Sequence, residues 1–220
     1  VLGDALPVLQ AYADLLAGAG VERGLLGPRE TPRLWQRHLL NCVGLTELLP
    51  ESALVVDLGS GAGLPGVVLA AVRPDLQVVL LEPLLRRAVF LEEVVAALAL
   101  GNATVVRGRA EELGGGRLTG PGLPADGRAD AVVARAVAPL DRLAGWALPL
   151  LRPGGRLLAL KGESAADELA AAAGALAAAG AHRSRVVEVG RPELLTAGRV
   201  VEVVVGVEAG APARAPGRRR

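Results

Sequence analysis

The sequence predicts an α/β fold, a seven-stranded, mostly parallel sheet with a C-terminal antiparallel hairpin and an N-terminal helical extension. Three observations carry this. From residue 53 short Val- and Leu-rich runs alternate with longer helical stretches, the sequence form of a parallel sheet flanked by helices. The last two runs follow each other without a helix between them, so they pair as a hairpin. Before residue 50 the apolar residues recur at spacings of three and four, a helical period.

Taken in order, Leu2, Leu6, Leu9, Ala13 and Leu16 form the stripe of an amphipathic helix that Gly18 and Gly20 are expected to end. Thr31-Pro32 reads as the next helix start, with a hydroxyl to cap free N–H groups and a proline where it costs no hydrogen bond. That helix carries Leu34, His38 and Cys42 on one side and Arg29, Arg33 and Arg37 on or near another. Strands are expected at 54–58, 77–81, 103–106, 129–134, 155–160, 184–189 and 200–207, and helices at 65–72, 84–99, 140–150 and 166–179. The Gly- and Pro-rich stretch 114–128 reads as a surface loop, and 209–220 as a disordered basic tail. The chain therefore divides into an extension at 1–50, a sheet domain at 51–208 and the tail at 209–220.

The 220 residues are 51% hydrophobic and 21% charged, which excludes a disordered or fibrous protein. Only Tyr12, Trp35, Phe90 and Trp146 are aromatic, and Met and Ile are absent, so the core is built from Val, Leu and Ala. The formal charge is +1, but residues 1–208 sum to −3, so the body is not a strongly basic nucleic-acid binder. A lone cysteine, Cys42, excludes an internal disulfide framework and a Cys-based zinc site, and no metal is expected. The longest weakly polar run, 169–181, is too short to span a bilayer of ~20 residues, and no secretory signal pattern opens the chain. The expectation is a soluble, cytoplasmic monomer without membrane contact.

The strand Leu54-Val55-Val56 leads into Asp57-Leu58-Gly59-Ser60-Gly61-Ala62-Gly63-Leu64-Pro65-Gly66. Glycines in such a turn adopt positive φ and let a ligand approach the backbone. Gly61-x-Gly63-x-x-Gly66 satisfies the dinucleotide fingerprint, in which a pyrophosphate rests on a helix N-terminus. Against that reading, Asp57 stands at the strand end, poorly placed for a phosphate and suited to a cationic ligand. Asp57-x-Gly59-x-Gly61-x-Gly63 is the pattern of enzymes that use S-adenosylmethionine (SAM), which carries an ammonium and a sulfonium and no phosphate. A plain tight turn is the third reading. Glu82 ends the second strand, 23 residues past Gly59, where a carboxylate accepts ribose hydroxyls; this indicates a nucleoside and does not separate NAD from SAM.

The whole pattern resembles the bacterial small-subunit rRNA guanine-N7 methyltransferases, also called glucose-inhibited division protein B. The resemblance rests on Arg37-His38-Leu39-Leu40, the glycine loop, Glu82 with Arg86-Arg87-Ala88-Val89-Phe90-Leu91, and Gly108-Arg109-Ala110-Glu111-Glu112. Ala134-Arg135-Ala136-Val137-Ala138-Pro139-Leu140 and Leu151-Arg152-Pro153-Gly154-Gly155-Arg156-Leu157-Leu158-Ala159-Leu160-Lys161-Gly162 complete it, over roughly residues 5 to 207. It implies a Rossmann-like, SAM-dependent methyltransferase that acts on 16S rRNA or the small ribosomal subunit. It also implies that Gly59 and Leu64 line the cofactor, that Ala110 and Glu111 lie beside its adenine, and that Arg135 sits next to it. Pro83, where a small or hydroxyl residue is expected, and the long 114–128 loop depart from the pattern.

The chain lacks an Asn/Asp-Pro-Pro-aromatic segment after the fourth strand, the usual device for methylating an exocyclic amine. A guanine N7 has an in-plane lone pair and no proton to remove, so it needs no general base. Arg135 and Lys161 are the substrate-side candidates, Lys161 being the single Lys among 24 basic residues. Arg33, Arg37, His38 and Lys161 are the RNA-binding candidates. A dinucleotide-dependent oxidoreductase, an RNA-binding domain without activity and a small-molecule methyltransferase stay open at this stage.

Overall fold

The computed structural model describes residues 2–113, 118, 126–190 and 198–206. Most of the 114–128 loop, the end of the last expected strand and the whole 209–220 tail lie outside the described residues.

Helix α1 (Ala5–Leu15) does not stop at Gly18. It runs on through a widened turn at Leu16–Gly20 and ends at Gly24, whose φ of +68° is the left-handed conformation that terminates helices. Leu25 then donates its N–H back to the Gly20 carbonyl at 2.8 Å. The second helical segment also departs from expectation. It starts at Gly27-Pro28, not at Thr31-Pro32, as a tight turn over Pro28–Arg33 in which Thr31 caps nothing. A wide turn at Leu34–Leu39, the short α2 (Leu40–Val43) and a tight turn at Gly44–Leu48 follow. Pro32 has no N–H to give, so regular α geometry begins only beyond it.

The sheet contains β1 (Leu54–Leu58), β2 (Gln77–Glu82), β3 (Ala103–Arg107), β4 (Ala129–Arg135), β5 (Leu151–Lys161), β6 (Ala181–Val189) and β7 (Gly198–Val205). Between them run α3 (Gly66–Val72), α4 (Leu85–Ala97), α5 (Leu140–Ala147) and α6 (Ala165–Ala178). The strand order is β3-β2-β1-β4-β5-β7-β6. Strands β1 to β5 are parallel, while β7 lies antiparallel between β5 and β6, as the hairpin pattern predicts. Strand β5 begins earlier than expected, across a register shift opposite Ala129, and Gly154 at φ +77° takes the bend there.

Alternation along β1 assigns two faces. Val55, Val78, Leu80, Val133 and Leu158 pack with α3, α4 and the N-terminal helices, including Leu9, Tyr12, Leu16, Leu39 and Leu45. Leu54, Val56, Leu58, Val132 and Leu157 pack with α5 and α6 on the other side. Burying each such side chain stabilises the fold by about 1.5–3 kcal/mol. The crossover from β1 leads to β2 on one side, and β4 lies on the other. The connections leave in opposite directions at that point and open a crevice at the carboxyl ends of β1 and β4, where open α/β sheets take ligands.

Candidate functional site

The glycine loop leaves β1 into this crevice and is held from three sides. Gly59 and Ser60 donate N–H bonds to the Leu81 carbonyl at 2.8 and 3.1 Å. Glu82, 1% exposed, accepts the Gly61 N–H at 2.9 Å on one oxygen and the Leu84 N–H at 3.0 Å on the other. Tyr12, fully buried on α1, donates its hydroxyl to the Ala62 carbonyl at 2.7 Å. Burial holds the Tyr12 hydroxyl well above its ordinary pKa, so it is a permanent donor here. The three glycines divide their work. Gly59, Gly61 and Gly63 all have positive φ, but a Cβ at Gly63 would lie 2.5 Å from Val67 and 2.8 Å from the Tyr12 hydroxyl, so Gly63 serves close packing.

Asp57 is 1% exposed and turns toward the helix face of β1. Its Oδ2 accepts the Gly66 N–H at 2.9 Å, and its backbone carbonyl accepts the Ser60 hydroxyl at 2.9 Å. Burial pushes its carboxyl up to about 7, opposed chiefly by the Gly66 N–H. The N-terminus of α3, where a dinucleotide's pyrophosphate would rest, is thus closed by a carboxylate, and the dinucleotide reading fails on geometry. The other oxygen, Oδ1, is buried without a hydrogen-bond partner, an acceptor that suits a cationic ligand.

Beside the loop lies a cleft of about 210 Å³ lined by Leu58, Gly59, Leu81, Pro83, Gly108, Arg109, Ala110, Glu111, Val137 and Trp146. Its apolar walls and backbone edges fit a flat purine, and Glu82 stands at the strand end next to it. Of the residues singled out in the sequence, Gly59, Ala110 and Glu111 line this cleft. Asp57, Gly61, Gly63 and Glu82 shape the loop behind it, while Leu64 packs toward the helical core.

Arg135 lies elsewhere. It lines a second groove of about 500 Å³ with Arg37, His38, Lys161, Glu30 and Glu168 among others. Its guanidinium contacts His38 Nδ1, the Arg37 carbonyl at 3.4 Å and the Cys42 sulfur at 3.8 Å. His38 Nε2 meets Glu30 at 2.8 Å, so neutral His38 accepts from Arg135 and donates to Glu30. Burial, with the two nearby guanidinium charges, lowers the His38 pKa against the pull of Glu30. Burial also pushes the Cys42 thiol up to about 12, which makes it an inert packing group. Arg33 is exposed and lines neither space.

A third cleft of about 560 Å³ joins the two. It is lined by Ala136, Val137, Ala138, Pro139, Leu140, Asp141, Lys161, Glu168, Ala171 and Ala172, sharing Val137 with the purine-sized cleft and Ala136, Lys161 and Glu168 with the Arg135 groove. Ala136 holds φ at +53°, a left-handed conformation that costs a non-glycine residue about 1–2 kcal/mol. Sequence reasoning missed Tyr12, Glu30, Ala136, Trp146 and Glu168. Rarity of aromatics was an available signal for Tyr12 and Trp146; nothing in a single sequence marks Glu30 or Glu168. Among the described residues no group of three His, Cys, Asp or Glu is placed to hold a metal ion, and no helix is long and apolar enough to cross a membrane.

Comparison with known proteins agrees with this geometry. The chain is 57% identical to ribosomal RNA small subunit methyltransferase G of Thermobifida fusca (strain YX) over 98% of its length and 89% of the relative's. It is 50% identical to the protein of the same name from Mycolicibacterium gilvum (strain PYR-GCK), over 100% of this chain and 93% of that one. Among solved structures, an Aquifex aeolicus SAM-dependent methyltransferase shares the fold with a TM-score of 0.53 at 20% identity, covering 82% of this chain and 99% of that one. The calicheamicin-biosynthesis methyltransferase CalO1, in its SAH-bound form, does so with a TM-score of 0.52 at 21% identity, covering 90% and 61%. The family described as rRNA small subunit methyltransferase G matches residues 5–196. The chain belongs to that family.

Proposed function

We propose that the protein transfers the methyl group of SAM to N7 of a guanine in 16S rRNA of the small ribosomal subunit. The observation that carries this reading is the shared wall at Val137: a purine-sized cleft beside the glycine loop meets, across one backbone segment at the end of β4, a larger cleft that continues into a groove bearing Arg37, His38, Arg135 and Lys161. One ligand then lies on the loop side and the other on the cationic side, with their reacting ends at Ala136-Val137.

Gly59, Ala110, Glu111 and Trp146 hold the adenosine, and Glu82 receives its ribose hydroxyls while it braces Gly61. Asp57 offers its unpartnered oxygen to the cationic end. Held there, SAM would supply an electrophilic methyl carbon, with its sulfur as the leaving group and the guanine N7 lone pair as the nucleophile. The chain contributes alignment, which removes on the order of 7–11 kcal/mol from such a barrier. Arg37 and Lys161 meet phosphate or base oxygens, and Arg135 is kept in reach by His38. Arg33, on the exposed outer face, extends the contact with RNA. The target guanine lies in a loop or is flipped out, since a base inside a duplex does not reach the cleft. One chain builds both clefts, so the active unit is a monomer, at work in the cytoplasm where small subunits are made.

The test is transfer of a radiolabelled methyl group from SAM to unmodified small subunits and, separately, to deproteinised rRNA, with the labelled nucleoside identified. Label in 7-methylguanosine is the expected outcome. Measurable SAM binding with no label in either RNA rejects the substrate and leaves the fold and cofactor standing.

A further inference from the structure

The 560 Å³ cleft lies in the size range of sites that take small ligands, and its walls at Ala136, Val137, Ala138 and Pro139 are apolar. Three charged side chains line it: Asp141, which is exposed, and the pair Lys161 and Glu168, which sits deeper, with side chains 11% and 31% exposed. Lys161 Nζ is 2.6 Å from Glu168 Oε2 and donates to the Ala138 carbonyl at 3.1 Å. An ammonium has three N–H donors, so at least one is left for a ligand. On the Glu168 side, Oε2 is buried in its 2.6 Å contact with Lys161, while Oε1 takes the Ser164 hydroxyl at 3.2 Å and keeps a second lone pair. The cleft therefore presents a spare donor next to under-used carboxylate acceptors. This is also where the chain uses its single Lys against 23 Arg, a compact charge instead of a planar fork.

A purine whose N7 faces the glycine loop has its six-position next in line, followed by N1 and the two-position. Guanine presents there an acceptor (O6), then donors (N1–H and the 2-amino group); adenine presents a donor (the 6-amino group), then an acceptor (N1). A donor followed by carboxylate oxygens complements the first order and opposes the second. Methyl transfer also leaves a positive charge on the guanine ring, and a carboxylate at N1–H stabilises it as it develops.

We propose that the Lys161–Glu168 pair selects the target base, Lys161 donating to O6 and Glu168 accepting from N1–H; this rests on the reading of the chain as a guanine-N7 methyltransferase. Glu168 is a specificity residue outside the SAM site. It ties β5 to α6 as well, and a purely structural role is the competing explanation.

The experiment uses full-length protein with unmodified small subunits as methyl acceptor. For Glu168→Gln, kcat/KM for 7-methylguanosine formation falls by about ten- to a hundredfold, the discrimination of one good base contact. Its SAM Kd by calorimetry stays within about twofold, because the truncated contact is to the acceptor and not the cofactor. The doubly substituted Lys161→Glu/Glu168→Lys protein restores the ion pair but sets a carboxylate against the Ala138 carbonyl and presents the pair in reversed polarity, so methylation stays at least about tenfold down. Should Glu168→Gln fail to fold, Glu168→Asp, which keeps Lys161 and the negative charge but withdraws the carboxylate from the base, carries the test, and full activity in it overturns base selection. Recovery of activity in the charge-swapped protein, or full activity in Glu168→Gln, overturns base selection while leaving the methyltransferase reading intact. Failure of the wild-type protein to form 7-methylguanosine overturns that reading and this inference with it.

Discussion

At the scale of single residues, the loop shows how one acidic side chain decides between two ligand classes. Asp57 was legible as the residue that disfavours a phosphate, but its partner was not: the Gly66 N–H lies nine residues on and meets it only because the chain doubles back into α3. Its raised pKa has a testable consequence. A carboxyl held at about 7 in the fold against an ordinary 3.8 binds a proton more tightly folded than unfolded. Its contribution is full below 3.8 and is lost as pH rises through about 7. Asp57→Asn keeps an acceptor for Gly66 and removes the charge. The stability of wild type relative to this variant therefore declines from about pH 4 to about pH 7 and levels off above, read as the difference between their denaturant midpoints. His38, whose lowered pKa acts with the opposite sign, is present in both proteins and cancels in that difference. Gly59 gives a sharper test. At φ +69°, with Val137 methyls 3.1 and 3.2 Å from where a Cβ would sit, Gly59→Val is both strained and crowded. SAM binding is expected to be lost in calorimetry, and unchanged affinity would place the cofactor elsewhere.

At the scale of elements, the strands were the most legible because a buried parallel strand must be apolar on both faces; β1 is buried at every position. The N-terminal helices were read less well. Their apolar stripe was visible, but the widened turns at Leu16–Gly20 and Leu34–Leu39 come from packing on the sheet, and the terminating glycine is the one whose φ is positive, which spacing does not reveal. These helices are tied to the site by α1, through the Tyr12 hydroxyl on the Ala62 carbonyl. Tyr12→Phe leaves that carbonyl without its donor, at a cost of about 1–3 kcal/mol. The midpoint of unfolding falls, and SAM affinity falls with it because the loop is no longer clamped. A fall in stability with unaltered affinity would show that the Leu81 carbonyl and Glu82 hold the loop without Tyr12. A second tie is Arg73, which donates to the Thr46, Leu49 and Pro50 carbonyls at 3.3, 3.5 and 3.1 Å and pairs with Asp75. That pairing holds the Asp75 carboxyl down to about 2.

At the scale of the whole molecule, residues before 50 are part of the core that covers one face of the sheet. Leu9, Tyr12, Leu16, Leu34, Leu39, Cys42 and Leu45 are each at most 3% exposed and pack with α3 and α4. Removing residues 1–50 exposes this face and takes away Tyr12, His38 and Glu30 together. The truncated protein is expected to aggregate or to lose cooperative unfolding; a soluble, cooperatively folding, SAM-binding product would show that the extension is dispensable for the core. The sequence by itself determined the class of the fold, the hairpin at its end, the cationic character of the cofactor and the family, because each is written in local patterns: burial period, loop glycines, and one acid at a strand end. Only the tertiary structure decided which candidates share a space. Gly59, Ala110 and Glu111 meet at one cleft, Arg37, His38, Arg135 and Lys161 at another groove, and Arg33 at neither. The structure also recruited Tyr12, marked in the sequence only by its rarity, and Glu30 and Glu168, which nothing in the sequence marks. The physical reason is that these contacts join residues distant in sequence, and their partners are set by the reversal of strand order between β1 and β4 and by packing of the N-terminal helices, not by neighbours along the chain.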